Sequence, residues 1–505
     1  MNCNVKIANG RGYIYNWSED CNDLLDSILQ PLPFQKEAKH YETTQLRAFN
    51  VISFLKLRGV KVHVEIANPA EHARLTIWTQ KLKSLRTDIS ESQVEKFVSG
   101  LEIDFRELQI RGLKKILRSH LALLAAGCGA GKTLLNLSAA QFKKQQNGKV
   151  LVFVVAPSAC ASEYIKELER FRGYFDLTMV DTCGLSSRQA ESQIAESEAD
   201  IFLVSVDSIV QLREAIFSKL QEFNGESLLI VEEGHAVKNV WSKRSQGLQA
   251  IAPLFDQLIV STATPLPLGP KDVRGYIGLV GLPQPEEAYS NGIPTQDYAL
   301  LKGVTFITDE DDVPFAPISS ENIEFDDLED LNSKILDAVK AELNDGHKVV
   351  IFTSTNRALQ AAHGLFEGVP RTVLSGSFFS EDCTSELLSN GRSRDFQKKA
   401  IDQFNHDPNC KILIANYRVG STGLNLQYSG ARMAIFYEIT NSGADFFQSK
   451  YRIRRPTVYP KGGFKYLYAV PTDPRQRRTV NRQFLKLAEQ TATLRQLKIH
   501  SGGGL

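Results

Sequence analysis

Short apolar runs recur along the chain, separated by amphipathic stretches. VLVFVVAP (150–157), IFLVSV (201–206), LLIV (228–231) and QLIVSTATP (257–265) are apolar without alternation, and helical text such as ASEYIKELERFRG lies between them. A strand apolar on both faces must be covered on both faces, so the pattern predicts a parallel sheet flanked by helices. It stops between Pro265 and Pro317, where eight of the nineteen prolines fall, and resumes with KVVIFTST (348–355), RTVLSGS (371–377), KILIAN (411–416) and MAIFYEI (433–439). The expected fold class is α/β: two parallel-sheet domains in tandem, 104–268 and 321–472, joined by a Pro/Gly-rich connection, 269–320. The first hundred residues read differently. NVKIANGRGYIYN predicts a hairpin turning at Asn9-Gly10, followed by a helical stretch near 44–58 and a strand at 60–66. Residues 1–100 are therefore expected to be a small α+β domain, and 473–505 a basic helix and tail.

Composition adds bounds. The chain has 505 residues, is 42% hydrophobic and 23% charged, and carries a net charge of +1, which fits several folded domains and gives no global polyanion signal. Charge is uneven: Arg452 to Lys498 holds twelve Lys or Arg against Asp473 and Glu489, whereas DEDD stands at 309–312. Local basic surface can bind nucleic acid under a neutral total. Seven cysteines stand singly with no CxxC, which argues against a zinc or disulfide framework and for a reducing cytoplasm, bacterial or that of a phage-infected host. No apolar run reaches membrane-span length, and MNCNVKIANGRG has no signal-peptide core.

The chemistry is carried by three stretches. AAGCGAGKT (125–133) follows the apolar run LALL and ends as a phosphate-binding loop ends. Gly127, Gly129 and Gly131 let backbone N–H groups close around phosphates, Lys132 reaches the β/γ phosphates of ATP, and Thr133 holds Mg2+. LLIVEEGHAVKN (228–239) ends an apolar strand in two adjacent carboxylates. Neighbouring like charges resist burial unless a cation joins them. Glu232 is expected to hold Mg2+, and Glu233 to orient or deprotonate the attacking water. In QSKYRIRR (448–455), Arg452 and Arg455 are three apart and share a helix face, so both can bring positive charge to a transferring phosphoryl group. A surface basic helix and a DNA-contact patch are the alternative readings of that stretch.

In order, these stretches resemble a superfamily 2 helicase core, most closely its Swi/Snf-related branch. FRELQIRGLKKI resembles the entry motif, with Gln109 as adenine reader. AGCGAGKT resembles motif I, APSACASEYIKELERF motif Ia, DIFLVSVDSI motif Ib, EEGHAVKN the DEGH box and STATP motif III. VVIFTSTNRAL resembles motif IV, VGSTGLNL motif V and QSKYRIRR motif VI. The resemblance spans about 104–470. It implies two RecA-like domains, nucleotide contact at Gly423, and nucleic-acid contacts at Ser158, Ser205, Thr353, Ser354, Ser377 and Thr422. Two departures stand out: Glu232 replaces the usual Asp, and only about eighty residues separate motifs III and IV. The compact layout is similar to phage-type branch-migration or annealing helicases.

The resulting expectation is an ATP- and Mg2+-dependent DNA translocase that remodels branched or forked DNA beside replication or recombination proteins. Arg475, Arg477, Arg478 and Arg482 are expected to face phosphates from a C-terminal helix whose Val480, Phe484, Leu485 and Leu487 pack on the second lobe; a solvated helix is the bland alternative. A strand-separating DNA or RNA helicase of the same fold remains open, as does a nucleotide-gated DNA-binding protein with little hydrolysis.

Overall fold

The computed structural model describes residues 85–266, 269–280, 315–375, 394–417, 428–440, 442–454 and 462–485 continuously, with strand-forming parts of 2–66, parts of 286–308 and isolated positions besides. Three sheets organise them. The N-terminal sheet holds β1 (Asn2–Ala8), β2 (Arg11–Tyr15), β3 (Phe34–Gln35), β4 (His40–Thr44) and β5 (Lys61–Ile66), in the order β3-β4-β2-β1-β5. β1 and β2 form the expected antiparallel hairpin, its turn residues Asn9 and Gly10 lying outside the described residues, and β5 runs parallel to β1. Alternate residues Val5, Ile7 and Ile14 point inward to a buried cluster with Ala48, Val51 and Leu55. That is the period-2 burial of a half-covered sheet. β4 lies against the helix Lys243–Ile251 of the next domain.

The first lobe has seven parallel strands: β6 (Leu121–Ala125), β7 (Val150–Ala156), β8 (Met179–Asp181), β9 (Ile201–Ser205), β10 (Glu226–Glu232), β11 (Gln257–Thr262) and β12 (Thr305–Ile307). Their order is β12-β6-β11-β10-β7-β9-β8. β6, β7, β9 and β11 are buried along their whole length, as unalternating apolar text requires. The second lobe has six parallel strands: β13 (Ile318–Phe325), β14 (Lys348–Thr353), β15 (Arg371–Leu374), β16 (Ile412–Asn416), β17 (Ala431–Phe436) and β18 (Phe464–Pro471), in the order β13-β18-β17-β14-β16-β15.

Two segments pack more closely on the first lobe than a boundary segment needs to. The helix Glu91–Gly100, started by a Ser90–Gln93 capping box, buries Val94 and Phe97 in the first lobe, with Phe97 edge-on to Phe142 at 5.1 Å. Residues 91–100, expected in the accessory domain, thus pack with first-lobe residues. Nor is 269–320 a plain connection. The helix Val273–Val280 packs on the segment after β10, so closely that a Cβ on Gly275 would stand 2.3 Å from the Val237 carbonyl oxygen. β12 then adds to the sheet beside β6. Gly275 and Gly278 are what allow the close packing of that helix, a Cβ on Gly278 standing 2.4 Å from Val240 Cγ2.

At the C-terminus, residues 474–485 are helical. Val480 and Phe484 pack on the second lobe, Phe484 lying 5.7 Å from Tyr468 and 6.0 Å from Phe446. Leu485 was expected to pack too, but is 64% exposed because it falls one position beyond that face. Leu487 lies outside the described residues.

Candidate active site

β6 leads through Ala126–Gly131 into the helix Lys132–Asn147, placing the first helical N–H groups at the end of the sheet. Gly131 caps that helix at φ +89°, a conformation that strains any other residue, and a Cβ there would displace the Gln109 amide, whose Nε2 would be 2.2 Å away. The residues before the loop brace it. Arg106 Nη2 donates to the Gly129 carbonyl (2.8 Å) and Gln109 Nε2 to the Ala130 carbonyl (3.3 Å), while Gln109 Oε1 accepts from the Arg106 N–H (3.0 Å). Gln109, expected to read adenine, thus has both ends of its amide on the protein. From the far side, Thr308 Oγ1 accepts from the Gly127 N–H at 2.9 Å. Lys132 Nζ donates to the carbonyls of Ala126 (2.9 Å) and Gly127 (3.4 Å), folded over the loop.

β10 brings the two carboxylates to the same end of the sheet. Glu232 is 7% exposed, and its Oε2 accepts from Tyr164 Oη (2.8 Å) and Asn136 Nδ2 (3.1 Å). Burial pushes its carboxyl up to about 7; nearby Lys132 opposes that shift and the Glu233 charge adds to it. Glu233 follows at φ +51°, a left-handed conformation that costs a non-glycine residue roughly 1–2 kcal/mol. Its Oε2 meets His235 Nδ1 at 3.2 Å and accepts from Gln448 Nε2 at 3.0 Å. Burial alone would raise the Glu233 carboxyl, but His235, Lys132 and Arg452 together hold it below the usual range. His235 Nδ1 is also 3.3 Å from both Thr262 Oγ1 and Thr264 Oγ1, which ties the carboxylate to the end of β11. Adjacent carboxyls are thus driven apart, Glu232 upward to about 7 and Glu233 downward, as in acid–base pairs elsewhere.

The donor set fits a magnesium–nucleotide complex. No group of three or more His, Cys, Asp or Glu that could hold a metal occurs among the described residues. The buried Glu232 carboxylate lies in the field of Lys132, and Thr133 is the second residue of the helix that follows the loop; a carboxylate and a hydroxyl are the partial oxygen set that Mg2+ uses when phosphates complete its shell. The αL turn at Gly131 and the helix N-terminus behind it fit phosphate oxygens.

Gln448 comes from the second lobe, from the helix Gly443–Lys450 capped by Ser442. Arg452 follows, buried at 6% exposure, and its charge acts on Glu233 and Cys160. Gln448 and Arg452 of the second lobe thus both act on Glu233 of the first. Arg455, Gly423, Thr422 and Ser377 lie outside the described residues.

The expected nucleic-acid contacts divide. Ser158 donates to Ser205 Oγ at 3.0 Å, and Ser205 is 5% exposed. Thr353 is fully buried, so it is no surface contact: as the last residue of β14 it points into the lobe. Ser354 is exposed, with its N–H on Glu438 Oε2 at 2.9 Å. Arg475, Arg478 and Arg482 are exposed on the C-terminal helix, and Arg477 reaches Glu324 at 2.7 Å.

Sequence reading missed Asn136, Tyr164 and Thr308. Asn136 and Tyr164 did leave a signal, a polar and a hydroxylated residue at buried helical positions. Thr308 left none.

No helix among the described residues is long and apolar enough to cross a membrane. The family model described as SNF2-related domain matches residues 27–288, and that described as helicase conserved C-terminal domain matches residues 330–457. A search of curated proteins found no match. With an SNF2-related match over just over half its length and a helicase C-terminal match on its second lobe, the chain belongs to the SNF2-related family of superfamily 2 ATP-dependent helicases and translocases.

Proposed function

We propose that the protein is a DNA-stimulated ATPase that translocates on DNA and remodels branched or forked substrates in replication, recombination or repair. One observation carries the motor reading. A carboxylate at the end of a first-lobe strand is held by Gln448 of the second lobe at 3.0 Å and lies in the field of Arg452. Chemistry at Glu233 is therefore linked to lobe closure, which is what a stepping motor needs.

The roles follow from position. Lys132 leaves the Ala126 and Gly127 carbonyls to neutralise the β/γ phosphates. Thr133 and Glu232 would hold Mg2+, which would supply charge neutralisation to the phosphate oxygens. Glu233, ionised and anchored by His235, orients the attacking water and takes its proton. Arg452, joined by Arg455, supplies positive charge as the phosphoryl group transfers. Exposed Arg475, Arg478 and Arg482 suit phosphate contacts that are blind to sequence, and the separate N-terminal sheet suits recognition of a junction.

The test is steady-state ATP turnover with no nucleic acid, linear duplex, fork, four-way junction or RNA, with Lys132→Ala as control. The expected result is weak basal turnover, the largest stimulation by forked or four-way DNA, and none in the control. Equal stimulation by RNA and DNA would overturn the DNA assignment, and turnover in Lys132→Ala would overturn the site.

A further inference from the structure

Glu232 is surrounded by polar groups that a parallel-sheet core does not ordinarily contain. Asn136 sits one turn into the helix Lys132–Asn147, Tyr164 on the helix Ala161–Arg170, and Ser261 opposite Glu232 in the β10–β11 register. Asn136 and Ser261 are wholly buried and Tyr164 is 1% exposed. Asn136 Nδ2 lies 2.8 Å from Tyr164 Oη, 3.1 Å from Glu232 Oε2 and 3.0 Å from Ser261 Oγ, and Ser261 Oγ lies 3.3 Å from Asn136 Oδ1. Tyr164 Oη donates to the same Glu232 oxygen at 2.8 Å.

Burying an amide and two hydroxyls costs free energy unless they satisfy one another. Here they form a closed network, and it converges on one oxygen of one carboxylate. Both donors take Oε2. Glutamate has one more rotatable bond than aspartate, so its carboxylate needs more restraint to present a fixed oxygen. A ligand restrained this way keeps its second oxygen aimed by rigid elements rather than by chance.

We propose that Tyr164 and Asn136 are positioning residues that grip Oε2 of Glu232 and so present its carboxylate to the divalent cation, and that the extra length of glutamate is what lets one side chain reach both grip and cation. The proposal rests on the nucleotide-site reading above. It makes the glutamate and the tyrosine a matched pair. A shorter carboxylate that reaches the cation leaves the Tyr164 hydroxyl behind.

The experiment is a double-mutant cycle of Tyr164→Phe and Glu232→Asp, read by fluorescence of a mant-ADP probe titrated with Mg2+, without turnover. Tyr164→Phe alone should leave Mg2+-free probe binding unchanged and raise the Mg2+ concentration at half-saturation about tenfold or more. In the Glu232→Asp background it should add no further shift. Asn136→Ala should move the Mg2+ midpoint in the same direction as Tyr164→Phe. An unmoved Mg2+ midpoint in Tyr164→Phe, an equal shift in both backgrounds, or a loss of Mg2+-free binding instead would overturn the pairing. A wild-type protein with no Mg2+-dependent probe signal would overturn the nucleotide-site reading itself, a different outcome from a wild type that responds and a variant that does not differ from it.

Discussion

Replacing Glu232 by glutamine should stabilise the nucleotide-free protein at alkaline pH while disabling it. The Glu232 carboxyl is raised from 4.5 to about 7, chiefly by burial. Between those values the folded protein holds a proton that the unfolded chain has released, so stability falls as pH rises through that window. The contribution is complete below 4.5 and lost by the time pH has passed about 7. A gap of about 2.5 units corresponds to about 3 kcal/mol at about 1.36 kcal/mol per unit. The glutamine side chain would have no proton to lose, and its amide oxygen can still accept from Tyr164 and Asn136. The assay is the denaturation midpoint of wild type and Glu232→Gln from pH 5 to pH 8; their difference cancels groups that titrate in both. A chain of several domains need not unfold in one step, so the comparison is of midpoints and not of extrapolated free energies. The midpoints should lie close together at pH 5 and separate towards pH 8, the variant being the more stable. Adding Mg2+ and nucleotide should reverse the order at pH 8, because a cation binds the ionised carboxylate and displaces its proton. Curves that stay parallel from pH 5 to pH 8 would show that Glu232 does not titrate as a buried acid.

Glu233→Gln should retain Mg2+-dependent nucleotide binding while single-turnover hydrolysis falls about 10²–10⁴-fold, the scale of a missing general base; unchanged hydrolysis would remove Glu233 from proton transfer. Arg452→Ala should lower turnover about 10³-fold or more with nucleotide affinity little changed, since its charge matters most in the transition state, and a loss confined to affinity would refute this. Changing Arg475, Arg478 and Arg482 together to glutamine should weaken binding to all DNA sequences alike. It should also flatten the salt dependence by about 0.9 log units for each duplex phosphate no longer neutralised, read from titrations at several salt concentrations. An unaltered slope would make the helix a solvated surface.

The sheet strands were legible because burial on both faces leaves an unbroken apolar run, as in β7 and β10. β12 was not: three residues at a sheet edge carry too short a pattern to separate from a Pro/Gly-rich connection. The phosphate loop and paired glutamates could be read because their spacing is local. The grip on Glu232 could not, because Asn136, Tyr164 and Ser261 are 96, 68 and 29 positions away from it and only the fold brings them together. Thr353 shows the opposite failure. The resemblance to motif IV implied a nucleic-acid contact there, yet this last position of β14 is buried.

The connection between the lobes is anchored in the site at both ends. On the first-lobe side Thr308 accepts from the Gly127 N–H of the phosphate loop and donates its own backbone N–H to the Ala125 carbonyl. On the second-lobe side Phe315 lies under the Arg454 guanidinium at 4.4 Å and packs on Tyr451 at 5.3 Å, while Arg454 Nε donates to the Ala316 carbonyl at 3.2 Å. Arg454 and Tyr451 flank Arg452 in sequence, so this anchor sits beside the arginine that acts on Glu233. Seven peptide steps separate Thr308 from Phe315, and a fully extended chain advances at most about 3.6 Å per residue. Whatever the lobes do, these two anchors can separate by no more than about 25 Å while both hold. That bound limits how far Arg452 can withdraw from the phosphate loop without first breaking the Phe315–Arg454 stack or the Thr308–Gly127 hydrogen bond.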